Sequence, residues 1–109
     1  MTQHITLYKQ IHPCQCSALA KLGYKSLINL RFDDECDNQP TSDEIALTAH
    51  ACKLNYHHLP IDGDSLHQDK VGDFAKLLAN TPKPVMVFCG TGARAKRIYQ
   101  SAVVLGLIG

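Results

Sequence analysis

The chain has 109 residues, the length of one domain, which excludes an enzyme built from separate cofactor and substrate lobes. Hydrophobic residues make up 45% of it and charged residues 19%, the balance of an ordinary folded domain rather than of a disordered or collagen-like chain. Eleven Lys+Arg against ten Asp+Glu leave a formal charge of +1, too little for a general grip on nucleic acid or an anionic membrane, while a local anion site stays open.

The opening segment, Met1 to Pro13, lacks the charged-then-apolar layout of a secretory signal, and no apolar run of membrane-spanning length follows. A cytoplasmic protein with neither nucleic-acid nor membrane partners is expected. Five cysteines, an odd number without paired spacing, point away from a disulfide framework and towards thiol chemistry.

Pro13 suits the first turn of a helix whose stripe runs through Ala18, Leu19 and Leu22 before Gly23 stops it. Lys25 to Arg31 reads as a strand. Thr41 and Glu44 have capping-box spacing, and Ile45, Ala49 and Cys52 follow on one helical face. Tyr56 to Leu59 is a short strand stopped by Pro60. Ser65 and Gln68 open another helix, with Val71, Phe74, Leu77 and Leu78 as its buried stripe. The continuous apolar run Pro84 to Phe88 has the pattern of a strand covered on both faces, and Ala93 to Leu105 is mostly good helix former.

The expected order is α-β-α-β-α-β-α. Strands alternating with helices of this length argue for a single α/β domain, a three-layer parallel sheet flanked by helices. Ligands bind such sheets beyond the carboxyl ends of the strands, which directs attention to Arg31 to Pro40, Pro60 to Ser65 and Cys89 to Arg94.

Cys89-Gly90-Thr91-Gly92-Ala93-Arg94 lies where the most hydrophobic strand ends and a helix begins. Its two glycines let the backbone curl, so that successive N–H groups point at one spot. The helix N-terminus adds donors and partial positive charge, and Arg94 adds a planar fork that suits a tetrahedral oxyanion. Gly90, Thr91, Gly92, Ala93 and Arg94 are thus the expected phosphate-binding residues. The same field favours a nucleophilic sulfur at Cys89.

At this point the chain resembles the phosphatase-like domain of the beta-lactamase hydrolase-like family, relatives of dual-specificity protein phosphatases. The resemblance spans nearly the whole chain: Gln10, the strand Ile28-Asn29-Leu30-Arg31 with Glu35 four positions on, Gln39-Pro40, Tyr56-His57-His58-Leu59-Pro60-Ile61, and the Cys89 loop. It implies the fold of cysteine-dependent phosphatases, with Cys89 as nucleophile, Arg94 as phosphate clamp and a thiophosphoryl-enzyme released by water. The implied substrate is a phosphorylated small molecule or phosphoprotein, and no metal or organic cofactor is required.

Three positions depart from the family pattern. Four residues, not the usual five, separate Cys89 from Arg94. Phe88 replaces the histidine that commonly precedes the nucleophile, and Ala95 replaces a hydroxyl residue that assists the leaving thiolate, a task open to Thr91. The short Cys-x-x-Gly-x-Arg loop also resembles that of rhodanese-type sulfurtransferases, which carry a persulfide on the cysteine. A sulfurtransferase and a non-catalytic phosphate-binding module therefore stand as alternatives.

Asp62 and Asp64, in the loop after the Tyr56 strand, are the candidate general acids, although Asp62-Gly63 also reads as a plain turn. Arg31 reads as a structural partner of Glu35 rather than as a second pocket cation. Asp33, Asp34, Glu35 and Asp37 read as a solvated run around an exposed Cys36, and Lys96 and Arg97 as a solvated helix face. Cys14 and Cys16 diverge on the first helix and His57 and His58 alternate across a strand, so neither pair makes half of a metal site. Cys52 falls on a core stripe, and the apolar tail Ala102 to Ile108 is expected to close the core.

Overall fold

The computed structural model describes residues 4–63 and 66–108. Four strands, β1 (Ile5–Tyr8), β2 (Ser26–Asn29), β3 (Asn55–His58) and β4 (Val85–Phe88), form one parallel sheet in the order β1-β4-β2-β3. Four helices alternate with them: α1 (Cys16–Lys21), α2 (Ser42–Ala51), α3 (Gln68–Asn80) and α4 (Ala93–Val104). The expected parallel α/β architecture is present. The sequence reading lacked β1, whose Ile5 and Leu7 alternate with Thr6 and Tyr8 along the sheet edge.

β4 is one of two inner strands that pair on both sides, Val85 with Ile5 and with Ser26, and all four of its residues are buried. Residues of a strand alternate between faces. Val85 and Val87 join Ile28, Leu30, Phe74, Leu78 and Ile98 in one core, while Met86 and Phe88 join Leu27, Ile11, Leu19, Ile45 and Ala49 in the other. One helical layer thus packs on each face: α1 and α2 on one, α3 and α4 on the other. Phe74 is fully buried, and truncating such a side chain to alanine costs about 3–5 kcal/mol.

Local signals explain the helix ends. Thr41 Oγ1 accepts the Glu44 N–H at 3.1 Å and Glu44 Oε1 accepts the Thr41 N–H at 2.8 Å, the reciprocal bonds expected from their spacing. Gly23, at φ +101°, follows the end of α1. That helix is shorter than its periodicity implies: Cys16 and Leu19 are its buried residues, and Leu22 is 76% exposed beyond its end. The cap of α3 also differs, because Gln68 is the first helical residue and His67 its N-cap. Ser65 and Asp64 lie outside the described residues.

The carboxyl tail does less than expected. Ala102 is buried and Ile108 packs on the α3–α4 core, but Val103, Val104, Leu105 and Leu107 are exposed, Val104 at 84%. Among the described residues no helix is long and apolar enough to cross a membrane, and no cluster of three His, Cys, Asp or Glu side chains is placed to hold a metal.

Candidate active site at the carboxyl edge of the sheet

The loops leaving the carboxyl ends of β2, β3 and β4 enclose an open cleft of about 350 Å³. Cys89 continues the alternation of Val85 and Val87, which turns its side chain towards the α3–α4 core and leaves it 1% exposed at the cleft floor. Its backbone N–H donates to Tyr8 O at 3.3 Å, and Gln10 N–H to Gly90 O at 3.2 Å, so β1 and its extension tie down the loop entrance. The Gly92 N–H donates to Cys89 Sγ at 3.1 Å. Such a bond is stronger to a thiolate than to a thiol. The hydroxyl of Thr91 instead accepts the Ala93 N–H at 3.3 Å. Ala95 is buried in the core behind the loop.

The two glycines serve different purposes. Gly92 is the N-cap of α4 at φ +93°, a region costly for any residue with a Cβ. Gly90 has no positive φ. A Cβ there would lie 3.3 Å from Cζ of Arg31, so Gly90 lets that guanidinium lie against the loop backbone.

Arg31 is therefore part of the cleft wall, and Glu35, though an exposed loop residue, has its carboxylate tied to two arginines. Glu35 Oε1 accepts from Arg31 Nε at 2.9 Å and from Arg94 Nη2 at 3.2 Å. Its Oε2 accepts from Arg94 Nη1 at 3.0 Å and from the Phe32 N–H at 2.9 Å. Burial pushes the Glu35 pKa up, but the hydrogen bonds from Arg94, Arg31 and Phe32, with the Arg94 charge, outweigh it and hold the carboxyl at about 2. Arg31 also donates from Nη1 to Gln10 Oε1 at 2.9 Å, and its Nη2 lies 3.8 Å from Cys36 Sγ in the exposed loop. Its own pKa is raised: burial works against the charge, and the bond to Glu35 more than compensates.

A buried polar network fixes the approach to Arg31. Asn29 Oδ1 accepts the Arg31 N–H at 2.9 Å while Asn29 Nδ2 donates to the Tyr56 hydroxyl at 2.9 Å, and that hydroxyl meets Ser42 Oγ at 2.7 Å. His58 Nε2 lies 2.5 Å from Arg31 O. The Asn29, Tyr56 and His58 positions of the recognised motif blocks thus hold Arg31 rather than line the cleft.

Arg97 is exposed on α4, as expected, and has a further contact. It lines the cleft and its Nη1 donates to Gly63 O, while Lys96 is exposed on α4. Of the candidate acids, Asp62 is exposed beside Gly63, which lines the cleft, and Asp64 lies outside the described residues. Cys14 is exposed and Cys16 buried, as divergent positions should be, and burial pushes the Cys16 thiol up. Sequence reasoning anticipated the Arg31–Glu35 pair, but not its link to Arg94 or the joint lining of the cleft by Arg31, Glu35 and Arg97. The available signal was position: all three fall at or beside carboxyl-edge loops.

Residues 1–105 match the family described as beta-lactamase hydrolase-like protein, phosphatase-like domain. A beta-lactamase hydrolase-like protein of Xylella fastidiosa (strain Temecula1) is 36% identical over 86 residues, 79% of this chain and 20% of its own length. One from Agrobacterium fabrum is 27% identical over 99 residues, 91% of this chain and 23% of its own. The chain therefore spans about a fifth of the length of the curated relatives it matches. Among solved structures, a provisionally assigned phosphatase from Neisseria meningitidis superposes with a TM-score of 0.83 at 26% identity, covering 89% of this chain and 69% of the other. P. aeruginosa TpbA, solved with pTyr, shares the fold at a TM-score of 0.70 and 16% identity, covering 94% of this chain and 60% of its own.

Proposed function

The chain belongs to the phosphatase-like domain family of beta-lactamase hydrolase-like proteins, and from that premise we propose that it is a cysteine-dependent phosphatase working through Cys89 and Arg94. The observation that carries the reading is the charge above the sulfur. Three guanidinium groups, Arg31, Arg94 and Arg97, and one carboxylate, Glu35, line the cleft over Cys89, a net of two positive charges. A tetrahedral dianion such as a phosphomonoester matches that charge.

In the proposed reaction the Cys89 thiolate attacks phosphorus in line with the ester oxygen. The S–P bond forms, the P–O bond breaks, and the leaving oxygen departs either as an aryloxide or, taking a proton from the candidate acid Asp62 or Asp64, as an alcohol. Water then attacks phosphorus, the S–P bond breaks and inorganic phosphate leaves. Arg94 and the first N–H groups of α4 bind the equatorial oxygens, whose charge is greatest in flight. The Gly92 N–H, on sulfur at 3.1 Å, stabilises the thiolate as it attacks and again as it departs. The substrate is a phosphorylated small molecule or phosphoprotein.

A second reading, sulfur transfer on the same cysteine, is favoured by two observations. Cys89 to Arg94 has four intervening residues in a Cys-x-x-Gly-x-Arg pattern. In addition, the cleft carboxylate Glu35 is held ionised by two arginines and so has no proton for a leaving alkoxide. Sulfur transfer needs none: thiolate attack on the outer sulfur of thiosulfate expels sulfite and leaves a cysteine persulfide. Cyanide or a thiol then removes the sulfur.

The deciding experiment measures turnover of an aryl phosphate and thiosulfate-to-cyanide transfer on one preparation, with Cys89→Ser as control. Phosphate release lost in Cys89→Ser supports the first reading, and thiocyanate formation lost in the same variant supports the second. Inertness in both assays leaves an oxyanion-binding module.

A further inference from the structure

We propose that Glu35 is a positioning residue: by holding one edge of the Arg94 guanidinium it presents the other edge to the oxyanion, and it strengthens anion binding rather than competing with it. This rests on the reading that the Cys89 loop binds a tetrahedral oxyanion. A carboxylate between two arginines looks at first like an occupant that substrate must displace. The bonds argue otherwise.

A guanidinium carries five N–H donors: one on Nε and two on each terminal nitrogen. Arg94 spends both Nη1 hydrogens away from the loop, one on Leu30 O at 3.2 Å and one on Glu35 Oε2 at 3.0 Å. One Nη2 hydrogen goes to Glu35 Oε1 at 3.2 Å. Glu35 therefore takes the end of the fork, and the hydrogen bonds among the described residues leave the Nε–H and the second Nη2–H. Those two form the side edge, a parallel pair spaced for two oxygens of one tetrahedral anion. A Cβ added to Gly63 would lie 3.3 Å from Nε, and both residues line the cleft.

Holding this edge still has a physical advantage, because a free arginine loses side-chain entropy when it binds. Here Glu35 has already ordered it. The cost is a negative charge near the anion, and Arg31 offsets it by sharing Oε1 at 2.9 Å. Arg31 is in turn fixed by Gln10 Oε1 at 2.9 Å and by the space above Gly90. The chain of contacts thus runs from the β1 extension through Arg31 and Glu35 to the clamp.

The test is a double-mutant cycle on binding of inorganic phosphate, read by calorimetry, with catalysis of whichever reaction the protein performs read in parallel. Glu35→Gln should weaken phosphate binding by about tenfold, and Glu35→Asp, which keeps the charge one methylene short, by less. In an Arg94→Ala background, Glu35→Gln should have little further effect, because Glu35 acts through a group that is gone. A purely structural role would lower affinity equally in both backgrounds. Equal or tighter binding in Glu35→Gln, or fully additive losses, would overturn the inference. Should Glu35→Gln fail to fold, the Glu35→Asp cycle answers the same question. Failure of the wild-type protein to bind phosphate at all would instead remove the oxyanion reading itself.

Discussion

Acid should loosen the active cleft before it unfolds the rest of the domain, and Glu35 sets the window. Its ordinary pKa of 4.5 falls to about 2 in the folded protein, so the folded state favours the ionised carboxylate. The resulting stabilisation is fully present above about pH 4.5 and is lost as pH falls towards 2. A shift of this size corresponds to an upper bound of about 3.4 kcal/mol at about 1.36 kcal/mol per unit. The carboxylate is 21% exposed and its arginine partners 11% and 24%, so solvent screening reduces the net contribution to about 1–2 kcal/mol. Glu35→Gln should therefore be destabilised by about that amount at neutral pH, measured by urea unfolding at a series of pH values. The gap between the two proteins should close between pH 4.5 and 2, because the protonated wild-type carboxyl then resembles the amide. A gap that stays constant across that range would refute the argument, since it would show that the loss has nothing to do with the ionised pair.

Oxyanion binding offers a thermal counterpart: phosphate at about 100 times its dissociation constant should add about 2.7 kcal/mol, raising the melting temperature by about 10–20 °C. Arg94→Ala should abolish most of that rise, and Arg94→Lys should recover only part, because an ammonium keeps the charge without the fork. Gly92→Ala should cost about 1–2 kcal/mol in unfolding experiments through its φ of +93°, whereas Gly90→Ala should leave stability nearly intact and weaken phosphate binding by displacing Arg31. If Asp62 protonates a leaving oxygen, Asp62→Asn should lose roughly 10²-fold on alkyl phosphates and far less on activated aryl phosphates, and equal losses on both would assign it to the turn.

The inner strands and the longer helices were legible because their burial is one-sided or complete, which leaves a period in the sequence. Val85 to Phe88 is apolar throughout because β4 is covered by helices on both faces. α3 shows Val71, Phe74 and Leu78 because a single face of it is buried. Ile5–Tyr8 was not legible in the same way: it is a short, partly buried edge strand like Asn55–His58, but it lacks a stop signal such as the Pro60 that marks the latter. The tail misled for a related reason: apolar composition registers Val104 and Leu107 but not the direction they face.

The site divides along the same physical line. Cys89, Gly92 and Arg94 are neighbours in sequence, so one loop displays them together. Arg31, Glu35 and Arg97 reach the cleft from a different loop and from the second turn of α4, and their meeting is a property of the parallel sheet. An acidic run such as Asp33 to Asp37 looks solvated because no local rule marks Asp33, whose Oδ1 accepts the Ser42 N–H, or Glu35, which turns to the arginines. That turn has a consequence for the short loop. A cradle with one peptide fewer offers one N–H fewer to an oxyanion, but here Gly90 admits the Arg31 guanidinium to within van der Waals contact of the loop backbone. Arg31 then neutralises the Glu35 carboxylate that orders Arg94. On the proposed oxyanion reading, positive charge brought in by side chains stands where a longer loop would use its backbone, and anion binding should depend on the Arg31–Glu35–Arg94 arrangement as much as on the cysteine loop.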